Sequence, residues 1–187
     1  MTAMTTTENA SPPAAPATPA RALPSTVAGE REMLEGWLEF HRQTLALKCA
    51  GLDGKQLRER AVPPSDLSLL GLVRHMAEVE CSWFRNRLTA EKVPPLYYTD
   101  ADPDGDLHPG DDDTWDEAYA TWQAQIAHAR KVAAPLPLDH LGTGERNRRT
   151  GEPFNLRWIY THMIEEYARH NGHADLLRER LDGTTGD

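Results

Sequence analysis

Four stretches of this chain repeat their apolar residues at steps of three and four, and none alternates at steps of two. That pattern admits amphipathic helices packed on one another and argues against a sheet protein. The first stretch, about 28–49, carries Met33, Leu34, Trp37, Leu38, His41, Leu45 and Cys49. The second, about 66–89, carries Leu69, Leu72, Met76, Val79, Trp83 and Leu88, with Ser65 as the expected N-cap after Pro63 and Pro64. The third, about 114–133, carries Trp115, Ala118, Trp122, Ile126 and Ala129. The fourth, about 155–181, carries Leu156, Ile159, Met163, Tyr167, Ala174, Leu177 and Leu181, and Gly183 is expected just past its end. Four helices of roughly 20 residues predict an all-α four-helix bundle. The loops 91–113 and 135–153 are rich in Pro, Gly and charged residues. Both are long enough to cross the bundle, so a simple up-and-down order is not fixed.

Residues 1–25 are nearly all Ala, Pro, Thr and Ser, and hold five of the fourteen prolines. Such a segment cannot bury enough apolar surface to offset its ordering entropy, so a disordered tail is expected there, followed by one domain over 26–187. The start has neither a basic nor an apolar region of the signal-peptide kind, and no run of 18 apolar residues exists to span a membrane. Lys plus Arg number 20 against 29 Asp plus Glu, a net charge of −9. That sign disfavours nucleic acid and anionic lipid as partners. Two cysteines, Cys49 and Cys81, make no disulfide framework. They read as buried hydrophobes, and the expected location is cytoplasmic.

The fourth helix contains HMIEEYARHNGH. His162, Glu166 and His170 stand four residues apart on one side of it. Each step rises about 6 Å, so the two His are about 12 Å apart, too far to share one ion. Either His162 with Glu166 or Glu166 with His170 can do so, and Glu166 belongs to both pairs. His173 lies two turns from Glu166 and pairs poorly with it. His170 falls within the apolar stripe 156, 159, 163, 167, 170, 174, 177, 181, where an unpartnered ring is costly. Glu166 flanks that stripe. Glu165 and Glu166 also fit a solvated face paired with Arg169. A third ligand is offered by His75, which faces inward near the middle of the second helix. Three protein ligands with open positions is the arrangement of a catalytic zinc rather than a structural one. His162 substitutes if the fourth helix is shifted by one turn, and Glu78 is a candidate to orient the His75 ring.

LSLLGLVRHMAEVECSWFRNRL, PPLYYTDADPDGDL and LRWIYTHMIEEYARHNGHADLLRERLDGTTGD together resemble the actinobacterial uncharacterised branch of the DinB-like superfamily. That superfamily includes the mycothiol-dependent maleylpyruvate isomerases and the mycothiol and bacillithiol S-transferases. The resemblance covers nearly everything after the tail. It implies a four-helix bundle with a divalent metal near its centre, and it allows a homodimer. The family's helix-two ligand falls on His75 and its last ligand on His170. The middle ligand falls on Glu166, where many members have a third His. This His-Glu-His set is similar to that of the maleylpyruvate isomerase branch, which implies zinc. Asn171-Gly172-His173 stands where many members have Arg-Gly-Gln.

The expected activity is that of a metal-dependent enzyme using a low-molecular-weight thiol, mycothiol by the resemblance. It would transfer the thiol's sulfur to a small electrophile or isomerise one. The alternatives are a non-catalytic, stress-associated metal-binding protein and a metal-dependent hydrolase using bound water. Two other features carry less. Arg146, Arg148 and Arg149 read as a solvated loop. The acidic DPDGD loop lacks the closing Glu of a calcium hand.

Overall fold

A computed structural model describes residues 21–186. The tail expected over 1–25 lies outside the described residues as far as position 20. Residues 21–25 run back along the first helix: the Arg21 guanidinium lies 5.0 Å from the Phe40 ring centroid and the Ala22 amide donates to Gln43 Oε1 at 3.3 Å.

The helices are α1 (Glu30–Cys49), a short α2 (Gly54–Arg58), α3 (Leu69–Glu80), α4 (Trp115–Ala133) and α5 (Leu156–Asp182). Among the described residues there is no strand, and Leu141 and Asn155 form an isolated bridge. The bundle expected from periodicity is therefore present, and α2 is a short addition between its first two members. Asp53 starts α2 with a capping box, in which Gln56 reaches back to the Asp53 amide. Three longer helices start on caps written in the sequence: Ser68 accepts from the Gly71 amide, Thr114 from Glu117 and Asn155 from Trp158. The second bundle helix thus begins three residues later than expected. Ser65 instead accepts from the Leu67 amide, a local turn. Gly183 ends α5 at φ 76°, as its position suggested.

Beyond Glu80, α3 continues as a π-helical segment, Cys81–Leu88. A pure α-helix would rotate Trp83 about 80° away from His75 over eight residues. The wider i→i+5 turns reduce that rotation, because each residue sweeps a smaller angle. The carbonyls at the segment's end are met from the loop before α5. The amides of Thr143, Gly144 and Glu145 donate to Leu88, Arg87 and Asn86 at 3.1, 3.0 and 3.1 Å. Gly144 permits that approach, since a Cβ there would fall 1.8 Å from the Asn86 carbonyl oxygen.

Contacts along the helices fix their directions. Arg157 at the start of α5 pairs with Glu30 at the start of α1, and Arg178 near its end donates to Lys48 and Ala50 carbonyls. So α1 and α5 run parallel. Arg74 pairs with Asp113 just before α4, whereas Arg85 donates to Gln125 within it, so α3 and α4 also run parallel. His75 meets His170 while Trp83 meets His162, so α3 and α5 are antiparallel. The order is up, down, down, up, and the loop 89–114 is a crossover joining two parallel helices.

One buried polar chain touches all four bundle helices. Arg42 of α1 donates from Nε and Nη2 to the two Glu80 oxygens at 2.8 and 2.7 Å. Tyr167 of α5 donates to Glu80 Oε1 at 2.8 Å, and Trp122 of α4 donates to the Tyr167 hydroxyl at 2.8 Å. The Glu80 side chain is 0% exposed. A carboxylate so placed would be costly unpaired, and each partner fixes one helix against α3.

Candidate metal centre

The α5 stripe is buried as the spacing required. Leu156, Ile159, Met163, Tyr167, His170, Ala174 and Leu177 are all buried, while Glu165 and Arg169 lie outside and pair with each other. Glu166 sits between these environments with its side chain only 16% exposed. It is therefore not a member of a solvated face, although Arg169 approaches its carboxylate at 3.9 Å.

The two carboxylate oxygens of Glu166 are directed to different neighbours. Oε2 lies 3.6 Å from His170 Nε2, and Oε1 lies 3.4 Å from His162 Nε2. Interaction with the His170 ring, with smaller help from His162 and His75, holds the Glu166 pKa below the usual carboxylate range against the effect of burial. From α3, His75 brings its ring to 4.6 Å from that of His170, centroid to centroid. One donor atom from each of His75, Glu166 and His170 lies within 4.8 Å of the other two. Two ligands of one zinc ion at about 2.0–2.1 Å lie at most about 4.2 Å apart. The Glu166–His170 separation of 3.6 Å is already within that limit, and the other pairs, within 4.8 Å, require side-chain closing to share an ion. Two imidazoles and one carboxylate are moreover a donor set suited to a divalent cation. His162, Glu165 and Glu166 form a second such group, sharing Glu166. His173 contacts His170, Nδ1 to Nδ1, at 3.3 Å and does not join either group.

Asp106 supplies the partner that orients His75. Its Oδ2 lies 2.7 Å from His75 Nδ1, which leaves Nε2 as the ring's other donor atom. Burial works to raise the Asp106 pKa, but the His75 hydrogen bond and charge outweigh it and hold the group below its ordinary value. Glu78, the acid expected to orient the His75 ring, does not do so. Its Oε2 accepts from the Leu96 and Tyr97 amides at 2.7 and 3.1 Å, so it anchors the crossover loop rather than the His75 ring. Burial pushes its pKa up, while those two amides work in the opposite direction. The loop is held close at a second point by Gly71, where a Cβ would fall 2.5 Å from the Leu107 carbonyl oxygen. Arg74 completes the anchoring through the Gly105 and Asp106 carbonyls.

A cleft of about 250 Å³ opens beside His75, lined by Ser82, Trp83, Tyr98, Asp106 and Leu107 among others. Neither cysteine reaches it as a nucleophile. Burial pushes the Cys49 thiol up to about 12 and the Cys81 thiol up to about 11, and both are at most 2% exposed.

The helical bundle is the fold that the DinB-like resemblance implied, and His75, Glu166 and His170 come together between α3 and α5. The family model described as Mycothiol-S-transferase matches residues 33–183. The chain belongs to this family, and through it to the DinB-like superfamily. No curated protein matches it. Among the described residues no helix is long and apolar enough to cross a membrane.

Proposed function

We propose that this protein is a divalent-metal-dependent S-transferase that joins mycothiol to a small electrophile, with His75, Glu166 and His170 as the metal ligands. The observation that carries this reading is the convergence of those three side chains from two antiparallel helices, with His75 opening on a cleft, in a chain whose family is that of the mycothiol S-transferases. Zinc is the proposed cation, because two imidazoles and one carboxylate with a position left open is a donor set that catalytic zinc uses. When bound, it would supply the positive charge that favours a thiolate at neutral pH.

The chain's own residues set the conditions for that chemistry. Asp106 fixes the His75 ring, and Glu166 contributes one negative charge where three His would contribute none. The two buried cysteines stay protonated, so the attacking sulfur belongs to the cosubstrate. In the transfer, the thiol's proton passes to solvent, the new bond forms from sulfur to the electrophilic carbon, and the leaving group departs with the electron pair of the bond that breaks. Trp83 and Tyr98 line the cleft beside His75.

Conjugation of mycothiol to a reactive halide, followed by chromatography of the S-conjugate, tests this. The expected rate falls to the uncatalysed level after chelation, returns with zinc, and is unchanged in Cys49→Ala and Cys81→Ala. Conjugation that persists in Glu166→Ala would contradict the proposal. Thiol-independent hydrolysis of an ester or amide would favour the hydrolase alternative instead.

A further inference from the structure

We infer that Trp83 and Trp158 form a shelf for the sugar portion of the thiol cosubstrate. This rests on the reading of the neighbouring cluster as a mycothiol site. Trp158 is 44% exposed, while Trp122 of the same bundle is fully buried. Isolated apolar residues at a surface need no explanation, but this indole is not isolated. Its ring lies 5.0 Å from His162 at 18°, 5.1 Å from Trp83 and 4.7 Å from Phe154. Trp83 in turn lies 4.4 Å from His162 and 4.9 Å from Phe154. Three aromatic side chains and an imidazole thus meet at one place on the surface.

The shelf reaches the metal centre through His162, which stacks on Trp158 and lies 3.4 Å from the Glu166 carboxylate. Trp158, His162, Glu166 and His170 follow one another at steps of four along α5. Trp158 is eight residues before Glu166, roughly 12 Å along the axis. Trp83 also lines the cleft beside His75, so a ligand whose sulfur reaches the cluster and whose body lies along that cleft extends toward the indoles. Mycothiol is built that way: an acylated cysteine carries a glucosaminyl-inositol unit at the far end from the sulfur.

The rim selects the same chemistry. Arg87 lies over Trp83 at 4.5 Å, donates to the Ser82 carbonyl at 3.2 Å and pairs with Glu145 at 3.4 Å. With these partners it is not a free clamp for a carboxylate. Tyr98, 41% exposed, also lines the cleft and carries a hydroxyl. Donors and acceptors around an apolar aromatic face match a ring with apolar faces and hydroxylated edges.

Saturation-transfer NMR with glucosaminyl-inositol, which has no sulfur, tests the shelf on the full chain. The glycoside should bind wild type alike with and without added zinc, because the indoles are not among the metal ligands. Trp158→Ala should weaken it at least about tenfold, and Trp158→Phe should restore most of the loss by keeping an aromatic face. Equal binding to wild type and Trp158→Ala would overturn the inference. So would the absence of glycoside binding in a protein that binds whole mycothiol. Glycoside binding that depends on Trp158, together with a cobalt-loaded protein that shows no sulfur ligation, would support the shelf and sink the proposed function.

Discussion

Alanine at His75, Glu166 or His170 is expected to abolish tight binding of a divalent metal, each alone. Loss of an outer partner of a ligand commonly costs about 10–100-fold in affinity, and loss of a ligand should exceed that. Glu166 has the widest consequence, because its two oxygens face His162 and His170 separately and both candidate groups contain it. Asp106→Asn should fall in the smaller range of about 10–100-fold, since it changes the hydrogen bond that orients His75 without removing a donor. His108→Ala and His128→Ala should leave metal content unchanged, because His108 pairs with Asp102 and His128 with Glu91, and neither belongs to either candidate group. Metal content after equilibrium dialysis, read by mass spectrometry, checks the series. Full retention in Glu166→Ala would remove the site.

The largest effect on stability is expected from Arg42→Ala. It would leave the fully buried Glu80 carboxylate without its cation, with only the Tyr167 hydroxyl as partner. Breaking a buried pair from one side costs about 3–5 kcal/mol. Against the roughly 5–15 kcal/mol that holds a domain folded, that is a large fraction. Exchanging both members for apolar residues of similar volume, Arg42→Met with Glu80→Leu, should cost much less, because no charge is left buried. Urea unfolding checks both variants through the midpoint, provided the slope stays constant. A loss below about 1 kcal/mol in Arg42→Ala would mean that water or another side chain replaces the guanidinium.

Periodicity revealed the bundle because burial of one helical face is a local property. The α5 stripe, with His170 inside it and Glu166 beside it, follows from spacing alone. The start of α3 was misplaced because Ser65 and Ser68 are equally good capping residues, and packing against the crossover loop decides between them. The π-helical segment left no trace in the pattern, since Trp83, Phe84 and Leu88 fit either helical period. Helix directions were open because both long loops can cross the bundle.

The candidate site was legible to the same extent. His75, Glu166 and His170 each occupy an inward or flanking position at matching depth, which spacing can express. Asp106 could not be found that way. It is 31 residues from His75 in a loop crowded with aspartates, and only the crossover places it against the ring. Glu78 was the nearer acid in sequence, and the amides of Leu96 and Tyr97 claim it. Arg42 and Glu80 were likewise hidden, because their partnership spans two helices and neither belongs to an apolar stripe.

Cobalt-substituted protein offers the most direct view of whether this centre takes a thiol. Added mycothiol is predicted to produce a sulfur-to-cobalt charge-transfer band in wild type, and none in Glu166→Ala. A fully cobalt-loaded wild type that shows no such band at millimolar mycothiol would contradict the account.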